Sequence, residues 1–249
     1  MLSAALAFGI GVVLGLVGGG GSILTNPVLV YAAGVSPAGA IVMGYPIVGG
    51  AALLGAVQHL RAGTIAARTT VPMGLAAMLG AWLGTRIVIA LGLDGQVRFA
   101  LLSLTMVLAG AAMLRDVWRA APPRAGAVAR WPALLAIGVG VGVLTGVVGV
   151  GGGFLIVPAL IILGGLELRP AVGTSLLVIA MSTSASFAAQ RGDADVDWGI
   201  VLPFLALAGA GLLAATAVAA RLPQRALKGA FAVALVGIGG TILVQYLTV

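Results

Sequence analysis

Cysteine is absent from the 249 residues of the chain. Thiolate metal sites, redox dithiols and disulfides are therefore excluded. There is one histidine, His59, so a multi-histidine metal centre cannot form within one subunit. Charge is scarce: 8% of residues are Asp, Glu, Lys or Arg, where a soluble domain carries roughly 25%. Acidic residues are scarcer still. Asp94, Asp116, Glu167, Asp193, Asp195 and Asp197 all lie between apolar runs rather than within them. Proton and cation carriers commonly hold a carboxylate inside the membrane, so its absence argues against a carboxylate-based cation site. No nucleotide-binding motif is present, which argues against direct drive by ATP. The start, Met1-Leu2-Ser3-Ala4, lacks the positive n-region of a signal peptide. The first apolar stretch is expected to belong to the mature structure.

What the chain does have is apolar surface and glycine. Hydrophobic residues make up 61% and mean hydropathy is +1.21. A chain of that kind belongs in lipid. The net charge of +7 raises the question of nucleic acid. The basic residues answer it, because they sit in short connections between apolar runs, as cytoplasmic loops of membrane proteins do. Nucleic acid is not expected as a partner.

Ten apolar runs fall into two sets of five: 2–17, 22–34, 37–58, 69–92 and 97–114, then 132–148, 153–165, 170–190, 198–220 and 228–247. A span needs about 20 apolar residues at ~1.5 Å each, so the first two runs of each set are short. Residues 115–131, with Pro122-Pro123, separate the sets. The sets repeat each other. Gly15 to Pro27 aligns with Gly146 to Pro158 at a constant offset of 131. Ser36-Pro37-Ala38 then matches Arg169-Pro170-Ala171, and Pro72 matches Pro203. The expected fold is an all-α integral membrane protein of two repeats, 1–114 and 132–249, joined by a cytoplasmic linker. An odd number of polarity-reversing elements per half puts ten basic residues on one side and only Arg98 and Arg191 on the other. The positive-inside rule favours that arrangement, and an odd count makes the repeats inverted.

Four glycines, Gly18, Gly19, Gly20 and Gly21, precede a short run beginning near Ser22. In the second half Gly149, Gly151, Gly152 and Gly153 precede a run beginning near Phe154. Consecutive glycines are poor helix formers, and glycine admits both positive φ and close backbone approach. The first N–H groups of a helix have no intrahelical partner and favour an anion by about 0.3–1 kcal/mol per terminus. The competing reading is close packing of helices through small residues. Thr25 and Asn26 lie one turn into the first short run, against apolar Ile156 and Val157 in the second. Thr174 and Ser175 open the third run of the second half, and Ser175, Ser182 and Ser186 share one helical face. Hydroxyls of this kind also bond back to their own helix. Tyr45, mid-run, needs a polar partner. Arg86 reads as the one charge well inside a run, either snorkelled toward Gly92 or an anion counter-charge. Gln58, His59 and Arg61 close a run as loop residues or as an anion vestibule.

The twice-used pattern Gly-x-x-Gly-x-Gly-Gly-Gly, then apolar residues, then Pro, resembles the TauE/SafE family, also called TSUP. The second half carries further matches, Pro170-Ala171-Val172-Gly173-Thr174-Ser175, Arg191-Gly192 and Val196-Asp197-Trp198. The first half departs at Gly44-Tyr45-Pro46. The resemblance implies a multi-pass protein of the bacterial cytoplasmic membrane that exports sulfite, sulfoacetate or related anions. The expectation is a secondary transporter, not an enzyme, with no cofactor. It would move a small sulfur-containing oxyanion by alternating access, bound at Gly18–Gly21, Ser22, Thr25, Asn26, Tyr45, Gly149, Gly151–Gly153, Thr174, Ser175 and Ser182. Its partners would be the anion and the lipid bilayer, with a homo-oligomer left open. A channel-like anion pathway and a membrane assembly scaffold are the rivals. An intramembrane hydrolase would need His59 in hydrogen-bond reach of Ser22.

Overall fold

A computed structural model describes residues 2–119, 131–149, 153–162, 166–190, 196–219 and 224–247. Gly151 and Gly152, most of the linker and 191–195 lie outside the described residues. The elements are all helical: α1 (Leu2–Val17), α2 (Gly20–Ala33), α3 (Pro37–Arg61), α4 (Ala67–Ala90), α5 (Gly95–Arg119), α6 (Trp131–Val148), α7 (Gly153–Ile162), α8 (Leu168–Ala189), α9 (Trp198–Ala219) and α10 (Gln224–Leu247). Each apolar run became one helix, because backbone polar groups in lipid must be satisfied within the segment. Six of them, α3, α4, α5, α6, α8 and α9, are long and apolar enough to cross a bilayer. α1, α2 and α7 have 16, 14 and 10 residues, about 24, 21 and 15 Å of helix. α6 was expected to be short, yet its 18 residues suffice for a crossing.

Local chemistry sets several boundaries. Ser36 caps α3, its hydroxyl accepting from the Gly39 N–H at 3.2 Å, with Pro37 in the first turn. Asp94 does the same for α5, accepting from the Val97 N–H at 2.8 Å. Trp131 and Trp198 begin α6 and α9 and are exposed, as suits the membrane interface. Along α4, Val71, Leu75, Leu79 and Trp82 are exposed at spacings of three and four. Such a stripe faces lipid, while Met73, Ala77 and Ala81 point inward.

α3 and α8 form the centre, with Tyr45, Val48 and Ala52 of one and Val172, Leu176 and Ile179 of the other all buried. Around them α4 packs on α6, α1 on α9 and α5 on α10. Glycine makes the first two contacts close. Gly138, Gly142 and Gly146 of α6, spaced by four, meet the backbone of Met73, Ala77 and Ala81 on α4. Gly11 and Gly15 of α1 meet Ala208 and Leu212 of α9 in the same way. A Cβ at Gly142 would overlap the Ala77 carbonyl, and one at Gly11 would overlap that of Ala208. Small residues at such spacing let helices approach closely in lipid. The two contacts are the same contact: Gly11 to Gly142, and Ala77 to Ala208, are both steps of 131 residues. These five glycines are thus consumed by helix packing.

A candidate anion site at two glycine turns

α1 and α2 meet at Gly18, and α6 ends at Gly149, ahead of α7. Both glycines have positive φ, +74° and +79°, a conformation costly for residues bearing a Cβ. Each closes the preceding helix: the Gly18 N–H donates to the Leu14 carbonyl at 2.8 Å, and the Gly149 N–H to that of Thr145 at 2.9 Å. Each is covered by the other half of the chain. Val172 of α8 lies over Gly18, and Ile41 of α3 lies over Gly149. Their carbonyls are also served across the halves or beside them. Ser175 donates to Gly18, and the Asn26 side-chain amide donates to Gly149 at 3.0 Å.

Beyond these glycines the two turns touch. A Cβ at Gly19 would overlap the carbonyl group of Gly153, and one at Gly153 would lie 2.6 Å from the Gly19 Cα. The starts of α2 and α7 therefore meet backbone to backbone. Gly19 precedes α2 with no side-chain cap, leaving donors at that terminus without an intrahelical partner. Gly21 has its own reason to be glycine, since a Cβ there would strike Ile10 and Leu14 of α1.

The hydroxyls expected at the site have local partners. Ser22 donates to Gly19 at 2.6 Å, Thr25 to Gly21 at 3.4 Å and Ser182 to Ile179 at 3.2 Å. Ser186 reaches across to Ala81 of α4 at 3.4 Å. Thr174 accepts from the Ala66 N–H at 3.1 Å and from Thr70 at 3.3 Å, tying the α3–α4 connection to α8 rather than joining the turns. His59 Nδ1 lies 2.8 Å from the Thr64 hydroxyl, so His59 and Ser22 are each engaged elsewhere and do not form a hydrolase pair. Among the described residues no three His, Asp or Glu side chains gather as a metal ion requires.

Two charges depart from expectation. Arg86 does not extend toward Gly92; its guanidinium lies over the Trp82 ring, 5.8 Å from the centroid. A helical side chain leans toward the N-terminus, which brings residue 86 onto residue 82. Arg98 was expected in a connection. It lies instead in the first turn of α5 and is 6% exposed. Its Nε donates to the Val147 carbonyl at 3.1 Å, and its Nη2 to the Gly146 carbonyl at 3.3 Å and the Tyr45 hydroxyl at 3.2 Å. Nη2 sits 3.0 Å from where a Cβ of Gly149 would be. Tyr45 thus finds the polar partner it needs, and that partner is a buried cation. The sequence signal for Arg98 was slight: a lone arginine four residues after a helix-capping Asp94.

A family model described as "Sulfite exporter TauE/SafE" matches residues 3–242. The chain belongs to the TauE/SafE family. It is 37% identical over 213 residues to a "Probable membrane transporter protein" of Xylella fastidiosa strain 9a5c, covering 82% of this chain and 79% of that one. A protein of the same description from strain Temecula1 is 36% identical over the same shares. No solved structure matches at a significant level. With its apolar spans, this TauE/SafE protein is a multi-pass membrane transporter of the bacterial cytoplasmic membrane.

Proposed function

We propose that this TauE/SafE protein exports a small sulfur-containing oxyanion, sulfite or an organosulfonate, by alternating access between two inverted repeats. The anion is held where the glycine turns meet. The observation that carries this reading is the backbone contact of Gly19 with Gly153, which brings two helix N-termini together. Two such termini and their N–H groups replace part of an oxyanion's hydration. All six acidic residues lie outside the apolar runs, so no carboxylate within a run would repel an anion there. Inversion is supported by five elements per half and by the reciprocal cover of Gly18 by Val172 and Gly149 by Ile41. Asn26 and Ser175 serve the turn carbonyls and Tyr45 meets Arg98 beside Gly149, which favours these three as the polar residues of the site; Thr174 bonds to the α3–α4 connection and Ser182 to its own helix instead.

Counterflow in proteoliposomes tests the reading. Sulfite or an organosulfonate inside should drive exchange of labelled substrate, while acetate and sodium should not. Exchange driven only by carboxylates, or by none of the anions, would reject it. Turnover far above about 10⁴ per second, beyond the reach of μs–ms domain motions, would replace the carrier with a channel.

A further inference from the structure

Arg98 is a full positive charge in a place where charge is expensive. Arginine does not deprotonate in proteins, and a buried ion is costly unless it is paired. Among the described residues no carboxylate pairs with it. Its three described bonds go to neutral oxygens. Two of these, on Gly146 and Val147, are carbonyls in the last turn of α6, where helix carbonyls lack intrahelical partners. The C-terminal end of the helix dipole favours a cation there. That holds the guanidinium in place and offsets part of its charge, with no carboxylate among the described residues to pair it.

The bonds also fix which donors remain. A guanidinium carries five N–H groups. One on Nε and two on Nη2 are engaged; no described bond uses Nη1, and Nη1 is not among the atoms sealed from the surface without a partner. Tyr45 is 1% exposed and accepts from Nη2, so its own hydrogen points away from the arginine. A buried phenol normally donates to something, and no described residue accepts from it. Arg98 and Tyr45 are thus buried residues that together present a positively charged pair of open donors beside Gly149. At the matching turn, Gly18 is held by Val172 and Ser175, with no cation among its described contacts.

We infer that Arg98 and Tyr45 are the anion clamp of this transporter, with Nη1 and the Tyr45 hydroxyl donating to separate oxygens of one oxyanion. The inference rests on the anion-export reading and deepens it. Charge supplies attraction, and the two-donor geometry supplies preference for an oxyanion over a spherical halide.

Binding of sulfite, methanesulfonate, phosphate, acetate and chloride to the purified protein, at constant ionic strength, tests it. Arg98→Lys keeps the charge and loses the planar fork. Oxyanion affinity should fall about tenfold while chloride affinity holds, so the ratio between them collapses. Arg98→Gln should lose roughly 10- to 150-fold for every anion, the range for hydrogen bonds to charged groups. Tyr45→Phe should lower oxyanion affinity and spare chloride. If Arg98 only braces α6, its variants will lower the melting temperature and keep the wild-type oxyanion-to-chloride ratio, and the inference is overturned. If Arg98→Gln does not fold, the ratios in Arg98→Lys and Tyr45→Phe decide. Wild-type preference for phosphate or acetate that Arg98→Lys removes would sink the sulfur substrate and sustain the clamp. Sulfite preference unchanged in both conservative variants would do the reverse. A wild-type protein that binds no anion would end both.

Discussion

The two glycine turns are finished by different residues, and the difference is an exchange. At Gly18 the carbonyl is served by Ser175. At Gly149 it is served by Asn26, whose side-chain oxygen fills the space where Gly44 has no Cβ. A step of 131 residues takes Asn26 to Val157 and Gly44 to Ser175. One half pairs Asn with Gly, the other Val with Ser, and each pair supplies one donor to one carbonyl. Asn26→Val should therefore cost about 1–3 kcal/mol, the penalty of an unsatisfied buried acceptor. Gly44→Ser alone should also destabilise, since its Cβ would overlap Asn26. The double variant should recover most of the loss in melting temperature. Additive losses would mean the two positions do not exchange roles. A second comparison separates two kinds of glycine. Gly19→Ala would force a Cβ into Gly153 and should cost about 1–3 kcal/mol, like other overpacked sites. Gly140→Ala in α6 meets nothing within 4 Å and should be neutral or stabilising by up to about 1 kcal/mol. Equal behaviour of the two in thermal unfolding would contradict the close contact.

At the scale of elements, the sequence was legible where lipid imposes its own rule. Ends of the apolar runs and of the helices agree within a few residues, because an unpaired backbone group in hydrocarbon is too costly to permit much else. The aligned Gly18 and Gly149 also announced both turns, since two residues with positive φ need two glycines. Arg98 was not legible. Its run begins at 97, so a charge at its first turn reads as a loop residue, and only its contacts with Tyr45 and the end of α6 bury it. Nor could the pattern tell that Gly19 and Gly21 are excluded from carrying side chains by neighbours far along the chain or on α1. Element direction remains to be measured. Ser36 caps α3, Arg169 lies in the first turn of the matching helix α8, and both are exposed. In a chain that contains no native cysteine, Ser36→Cys and Arg169→Cys should label from opposite faces of the membrane with an impermeant reagent. Labelling from one face would make the repeats parallel.

Across the whole molecule, neither repeat completes its own turn. Gly18 belongs to the first and is covered by Val172 of the second; Gly149 belongs to the second and is covered by Ile41 and braced by Arg98 of the first. The two halves should therefore depend on each other for folding. Residues 1–119 and 131–249 produced as separate polypeptides should each fail to give a monodisperse, transport-competent species. Produced together, they should restore both. A half that is stable by itself would show that the cross-cover is incidental. The same reciprocity reaches back beyond this chain. The cover of Gly18 by Val172 and of Gly149 by Ile41 is one contact with the roles reversed, as in an isologous interface. An ancestral chain of one repeat would meet a second copy of itself through this surface, in opposite orientations if the labelling finds the halves inverted. Duplication followed by fusion would have preserved the interface and freed the two copies to diverge. The Asn–Gly and Val–Ser exchange, with Arg98 beside one turn alone, is where the two copies now differ at that contact.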